Sequence, residues 1–300
     1  MPAHPTRPLP TDLSGWTERV RYIPIPVLAQ TISDLAALAQ IEDERGDVDA
    51  ARISAAIGDD PLMTLHVLVL ASQHRHSRQV TDVETVTGAV MMLGIGRFFR
   101  ACRDLVPVET LLASQPEAWA GLQRVIERAH RAARFALGFA VHRMDSDSAV
   151  LHEAALIHDL AEMLLWCHEP TTALAIRRQL DHDHTLRSAT VQQQVLGVTL
   201  FELEQRLMQV WHLPELLIKL TNDRAEGRAL VQPQAQLVKL AVQIARHTTR
   251  GWDDAALPDD VNELASLLNL STAATLRLIQ DINLSETAPV APADRGGDGD

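Results

Sequence analysis

Apolar residues recur at intervals of three and four along most of the chain, and polar residues fill the positions between them. This spacing places the apolar side chains on one face of an α-helix, whereas strict alternation would mark a half-buried strand. After the two prolines of residues 23–26, for example, Leu28, Ile32 and Leu35 share one face. No segment alternates convincingly, so the pattern predicts an all-α fold built as a multi-helix bundle.

Turn and cap residues mark the ends of several predicted helices. Asp49 and Gly58 bound a second helix, and Asp60 with Pro61 gives a third helix an N-cap and a proline in its first turn. Gly94 ends another helix. The periodicity predicts further helices at residues 83–93, 98–112, 119–141, 149–167, 170–181, 188–210, 214–222, 233–247, 259–268 and 271–282.

Composition divides the chain into parts. The proline-rich start is predicted to be a flexible lead-in, and the acidic end, SETAPVAPADRGGDGD, a disordered tail. A polar break at residues 113–118 separates two helical layers. We therefore expect a lead-in at residues 1–15, an N-terminal helical subdomain at 16–115 packed on a second helical subdomain at 116–250, a helix pair at 251–284 and the tail at 285–300.

Charge and apolar content narrow the class of protein. The net charge of −12 repels a phosphate backbone, and no basic patch is concentrated anywhere, so nucleic acid is not an expected partner. No apolar run reaches the roughly 18 residues of a membrane span, and the start lacks an apolar signal segment. Cys102 and Cys167 match no metal or redox spacing. These features favour a cytoplasmic protein without a membrane partner.

The strongest candidate for chemistry is the segment AALIHDLAE at residues 154–162. On a continuous helix, His158 shares a face with Ala154, Ala155 and Ala161 and points inward. A buried neutral imidazole needs a partner. That partner could be a divalent metal, with Asp159 contributing an oxygen, or hydrogen-bonding groups that orient the bundle.

His158 and Asp159 are adjacent in the sequence, and His130 lies in the preceding predicted helix, residues 119–141. This arrangement resembles the HD superfamily of metal phosphohydrolases, whose signature is an early His, a His-Asp pair and a distant Asp. Val242 stands at the place of the distant Asp and has no donor atom. Glu162 replaces the Lys of catalytic relatives, so an anion stands where a cation would attract phosphate. The resemblance implies a weak or vestigial metal site at His130, His158 and Asp159.

Four further segments resemble one branch of that superfamily, the HDOD domain. They read IPIPVL, DDPLMTLHVL, VTGAVMMLGIGR and WHLP, at residues 23–28, 59–68, 86–97 and 211–214. In order along the chain they cover roughly residues 20–250. The resemblance implies that the second subdomain is HD-like, and that the protein serves in signalling without hydrolase activity.

Our leading hypothesis is therefore a regulatory module for signal transduction in a bacterial cytoplasm. It would act through a protein partner in a signalling pathway or through ligand binding, without catalytic residues. No cofactor is expected beyond a weakly bound divalent metal at His130, His158 and Asp159.

Two alternatives belong to other classes. The first is a metal-dependent phosphohydrolase of nucleotides or cyclic nucleotides, in which Asp223 or Asp253 supplies the missing carboxylate. The second is a transcriptional regulator that uses the last helix pair, although its second helix offers only Arg277 and Gln280 for base contacts. We expect that pair to be a packing element.

Overall fold

The computed structural model describes residues 8–58, 60–74, 83–183, 185–223, 232–249 and 251–284. Within these ranges the chain is helical and forms no strand beyond one isolated bridge between Val27 and Pro107, which confirms the predicted all-α class. In chain order the helices are α1 (Leu13–Val20), α2 (Ala29–Arg45), α3 (Ala50–Ile57), α4 (Pro61–Gln73), α5 (Val86–Leu93), α6 (Ile95–Ala101), α7 (Val108–Leu111), α8 (Pro116–His142), α9 (Ser148–Leu156), α10 (Leu160–His168), α11 (Pro170–His182), α12 (Ser188–Leu196), α13 (Leu200–Val210), α14 (Glu215–Leu220), α15 (Pro233–His247), α16 (Leu257–Leu268) and α17 (Thr272–Leu284).

The predicted caps are present at the helices of the N-terminal half. The Asp49 carboxylate accepts a hydrogen bond from the backbone N–H of Arg52 at the start of α3, and Gly58 ends that helix with a φ of 54°. Asp60 caps α4, with Pro61 in its first turn. These ends were predictable because each depends on residues within one turn.

Helix α4 joins two apolar clusters. Leu62, Leu65 and Leu68 belong to the larger cluster, which extends through the second half of the chain, whereas Met63 and Val67 belong to the N-terminal cluster. A helix that is apolar on all sides is stable only when neighbours cover every side. Helix α4 is therefore one of the elements through which the N-terminal helices pack on the rest.

Helix α8 is the centre of the larger cluster, and α9, α10, α15 and α17 pack against it. Two glycines allow close approach. A Cβ at Gly121 would overlap the Trp166 ring, and one at Gly138 would overlap the Ile282 side chain. The contact at Gly138 places α17 on α8, and Ile279 of α17 is fully buried. The last helix pair is thus a packing element, as predicted.

The sequence did not predict α1, which begins at Leu13 inside the expected lead-in. Trp16 is fully buried, and its indole N–H donates to the carbonyl of Leu196 at 2.9 Å. This anchor lies 180 residues away along the chain. The helix is therefore held by a tertiary contact that a local pattern does not reveal.

Three predicted helices are interrupted: 98–112, 188–210 and 149–167, the last at residues 157–159. The segment 98–112 splits into α6 and α7, because Pro107 lacks the N–H that would continue a helix. The segment 188–210 splits at Gly197, whose φ is 75° and whose missing Cβ leaves room for the carbonyl of Thr11. Across the described residues, no helix has both the length and the apolar character needed to cross a membrane.

Candidate functional site

A short turn, and not the predicted continuous helix, carries His158 and Asp159. Helix α9 ends at Leu156 and α10 begins at Leu160. No glycine or proline marks this break. Successive residues of a helix point about 100° apart, whereas here the His158 Nδ1 and Asp159 Oδ1 atoms lie 3.6 Å apart. The turn therefore lets both side chains face the same space.

His158 is 5% exposed and is held by a carboxylate from a distant segment. Its Nε2 atom lies 3.1 Å from Oδ1 of Asp223, which follows α14. Burial opposes protonation, but attraction to the Asp223 and Asp159 carboxylates outweighs it, so the pKa of His158 lies well above its ordinary value. Of the two carboxylates suggested as replacements, the structure brings Asp223 to the site, whereas Asp253 is not part of the cavity lining in the described chain.

Arg128 of α8 pairs with Asp159. Its Nε and Nη2 atoms lie 2.8 and 2.7 Å from Asp159 Oδ2, and Nη2 also lies 2.6 Å from Glu162 Oε2. The Nη2 atom of Arg246, on α15, lies 3.5 Å from Asp159 Oδ1. Although burial alone would raise it, the Arg128 guanidinium holds the pKa of Asp159 well below its usual range. Asp159 is therefore an anion whose charge is already matched by an arginine.

Arg128 was missed, although its position carried a signal. Helix spacing places it between Val125 and Ala132, and both of those residues are buried. A charged residue on the apolar stripe of a helix predicts a buried ion pair, because an unpaired charge is costly there. The acidic residue at position 162, first interpreted as a lost phosphate contact, is the second partner of this arginine.

His130, the third residue of the predicted metal group, lies on α8. His130 follows Arg128 by two residues on α8, which turns it about 200° away around the helix, and it does not line the cavity. Val242 is buried on α15 without a donor atom. In the part of the chain that is described, no group of three or more His, Cys, Asp or Glu side chains is arranged to hold a metal. Metal binding by His130, His158 and Asp159 stays a prediction.

Glu204 of α13 is a second buried carboxylate that the sequence interpretation missed. It is 4% exposed, and its Oε1 atom has no hydrogen-bond partner among the described residues. Burial raises the pKa of Glu204 well above its ordinary value, and attraction to His158 offsets this only in part. Its place between Leu203 and Leu207 on the apolar face of α13 was the available signal.

These side chains close one end of a cavity of about 380 Å³. The polar end holds the His158 turn, Glu204, Asp223 and the two arginines, and α10, α11 and α13 also supply most of the apolar lining. The apolar lining consists of Leu165, Trp166, Ala173, Ile176, Leu180, Ala189, Leu200 and Phe201. Pockets of this size with a few convergent polar groups are typical of small-molecule sites.

The donor set fits a divalent metal poorly. A metal of the HD type would need oxygens of Asp159, and one of them, Oδ2, accepts from the Arg128 guanidinium instead. A cation at this point would also be repelled by that guanidinium. The arrangement is therefore suited to hydrogen bonding and ion pairing with a ligand more than to metal chemistry.

Comparison with known proteins identifies the class. The family model of the HDOD domain matches residues 25–226 of the 300 residues, which is more than half of the sequence. The chain therefore belongs to the HDOD domain family, as the sequence resemblance predicted.

Solved structures agree on the fold. The MmoQ response regulator from Methylococcus capsulatus str. Bath is similar, with a TM-score of 0.63 and 19% identity over 86% of this chain and 99% of that one. A virulence factor from Campylobacter jejuni subsp. jejuni has a TM-score of 0.59 and 18% identity over 92% and 96%. At such identities the likeness establishes the fold alone. No curated protein sequence matches this chain.

Proposed function

We propose that this HDOD protein is a regulatory module of a cytoplasmic signalling pathway, which acts by binding a ligand or a protein partner and not by turnover. The observation that carries the proposal is the pairing of Arg128 with Asp159. An arginine side chain is fixed where the HD chemistry would require a metal ion. The name of the similar MmoQ protein, a response regulator, supports a place in signalling.

The surroundings of that pair support the same conclusion. Val242 removes the distant carboxylate, and Glu162 adds a negative charge where a phosphoryl group would bind. Glu162 is itself held by Arg128 at 2.6 Å, so it does not leave the guanidinium free for a substrate phosphate. Among the described residues, the site thus offers neither a group of three His, Cys, Asp or Glu ligands for a metal nor a free cation from Arg128 for phosphate.

A binding event in the cavity has a physical route to the rest of the molecule. The cavity wall includes Leu165 and Trp166 of α10, and α10 packs on α4. Helix α4 in turn joins the two apolar clusters. A ligand that repositions α10 would therefore alter the packing of the N-terminal helices, which could be read by a partner.

The second candidate is the metal-dependent phosphohydrolase, which one contact favours. Asp223 lies 3.1 Å from His158 Nε2, so a carboxylate does stand near the His-Asp pair without the family's usual aspartate. In this alternative Asp223 would replace that residue, and Arg128 would have to release Asp159.

Metal content and hydrolysis separate the two candidates. The purified protein is analysed for bound metal by mass spectrometry, then assayed with manganese or iron against a panel of phosphomonoesters, nucleotides and cyclic nucleotides. We expect substoichiometric metal and no turnover above a buffer blank. Stoichiometric metal with turnover that is lost in His158→Ala but kept in His152→Ala, a histidine outside the cavity lining, would overturn the regulatory proposal.

A further inference from the structure

The polar end of the cavity contains a hydrogen-bond acceptor to which no described residue donates. Glu204 is 4% exposed, and its Oε1 atom finds no donor among the described residues. Buried carboxylate oxygens are normally hydrogen-bonded, because an unmet acceptor in a dry site is costly. The neighbouring acids are engaged, Asp159 with Arg128 and Asp223 with His158. A molecule that enters the cavity with an N–H or O–H group would supply the donor that the described residues do not.

The charges of the lining are unequal. Four carboxylates face the cavity, from Asp159, Glu162, Glu204 and Asp223. They are opposed by Arg128 and Arg246, since Arg177 pairs with Asp181 at 2.7 Å. With protons on His158 and on Glu204, whose pKa burial raises, the charges of the lining balance. A monocation beside Glu204 would replace the proton of this acid and keep that balance.

The rest of the cavity is apolar. Leu165, Trp166, Ile176, Leu180 and Phe201 form a wall beside the polar end. A volume of about 380 Å³ suits a compact organic molecule and not a bare ion, which would leave that wall in contact with empty space or water. The wall therefore selects for a ligand with an apolar or aromatic body.

We propose that this cavity binds a small organic cation, an amidinium or primary ammonium group carried on an apolar body, whose N–H donates to Glu204 Oε1. The inference rests on the proposed regulatory function, for which it names the ligand class. The cationic head would lie at the acidic end beside Asp223, and the body would pack on Trp166 and Phe201. A charge-assisted hydrogen bond in a desolvated site supplies both affinity and orientation.

Benzamidinium is a suitable probe, and benzoate is its control because it has a similar shape and the opposite charge. In calorimetric titrations of the full chain, we expect benzamidinium to bind with a Kd of about 1 mM or tighter, a reasonable affinity for a ligand of this size. Benzoate should bind at least about tenfold more weakly, because the acidic end repels it. Equal affinity for the two ions, or no binding of benzamidinium, would overturn the proposal.

Two variants locate the site. Glu204→Gln keeps the shape and removes the charge, and it should weaken benzamidinium binding at least about tenfold. Ala189→Trp places an indole at the cavity rim, and since Ala189 is exposed, the change should block access without disturbing folding. Glu153→Gln, a half-buried glutamate outside this lining, is the matched control and should leave the Kd unchanged. Unaltered binding in both cavity variants would contradict the assignment.

A manganese titration and a phosphoester assay on the same preparation keep the two proposals apart. Benzamidinium binding without turnover supports both. Turnover with bound manganese overturns the regulatory function whatever benzamidinium does. Absence of turnover together with absence of benzamidinium binding overturns the ligand class and leaves the regulatory function standing.

Discussion

Two buried carboxylates of this protein, Asp60 and Glu204, have opposite surroundings. Asp60 is 3% exposed and joins α4 to α2 by accepting four hydrogen bonds, from the backbone N–H groups of Leu28, Leu62 and Met63 and from the Thr31 hydroxyl. Glu204 is 4% exposed, yet its Oε1 atom has no partner in the described chain. The two side chains are thus equally buried, but the Asp60 carboxylate has four hydrogen-bond donors and the Oε1 atom of Glu204 has none in the described chain.

The difference separates a structural joint from a binding site. Each hydrogen bond that Asp60 accepts fixes either the start of α4 or the neighbouring helix α2. The effect of Asp60 is therefore on the fold. The Oε1 atom of Glu204 accepts no hydrogen bond from the described residues. The cost of burying this atom is therefore offset by other packing, until a ligand supplies a donor. Substitutions at the two sites should therefore differ most in their effect on stability.

The largest effect is expected at Asp60. Asp60→Ala removes an N-cap and leaves the Leu28 N–H and Thr31 hydroxyl without their acceptor, which should lower the free energy of unfolding by about 4 kcal/mol. Asp49→Ala is the matched control, because Asp49 caps α3 with a single exposed hydrogen bond to Arg52 and should cost about 1 kcal/mol. Urea unfolding followed by circular dichroism measures both. Equal losses would mean that the bonds between α2 and α4 contribute nothing.

A smaller but still large effect is expected at Arg128. Arg128→Met leaves Asp159 largely unpaired in a site where its side chain is 13% exposed, and should cost about 3 kcal/mol. Adding Asp159→Asn should recover part of this loss, since the stranded charge is removed. Arg178→Ala breaks an exposed pair with Glu117 and should change stability by less than about 0.5 kcal/mol. No recovery in the double variant would show that packing, and not charge, dominates at Arg128.

Glu153 is an intermediate case, and its effect depends on pH. Both its oxygens accept from the Val86 N–H at 2.9 Å, but burial raises the pKa of Glu153 to about 7 from its ordinary value of 4.5. Folding therefore favours the protonated form. Its contribution is full below about pH 4.5 and is lost as the pH rises to about 7.

The Glu153→Gln variant tests the direction in which Glu153 changes stability with pH. Because the amide cannot ionise, the variant should gain about 2 kcal/mol relative to the wild type between about pH 5 and pH 8, after allowance for partial exposure. Urea unfolding at four pH values across this range gives the difference. A difference that stays constant with pH would show that Glu153 does not titrate within it.

Sequence patterns predicted the features that depend on neighbouring residues. The caps at Asp49 and Asp60 follow from one turn of chain, since each carboxylate accepts from a backbone N–H two or three residues later. The HDOD resemblance rested on several ordered motifs and is confirmed over residues 25–226. Helix caps and family motifs both depend on short segments of sequence, which explains why they could be predicted.

The remaining features depend on partners far along the chain. Helix α1 is held by Trp16 through the Leu196 carbonyl, and the turn at residues 157–159 is accompanied by the pairing of Asp159 with Arg128. No periodicity encodes these contacts. Arg128 and Glu204 were nevertheless accessible, because a charge on an apolar helical stripe predicts a buried polar site even when its partner is unknown.

The smallest effect is expected at Glu204, and it gives the sharpest form of the comparison. At about pH 4, where this acid is mainly protonated in both the folded and the unfolded chain, Glu204→Gln removes neither a charge nor a hydrogen bond at Oε1, so it should change the free energy of unfolding by less than about 1 kcal/mol. Urea unfolding of this variant beside Asp60→Asn, the equivalent change in the saturated carboxylate, isolates the effect of the partners. If Glu204→Gln destabilises the protein as much as Asp60→Asn, Glu204 is a structural joint as well, and the contrast between the two regions fails.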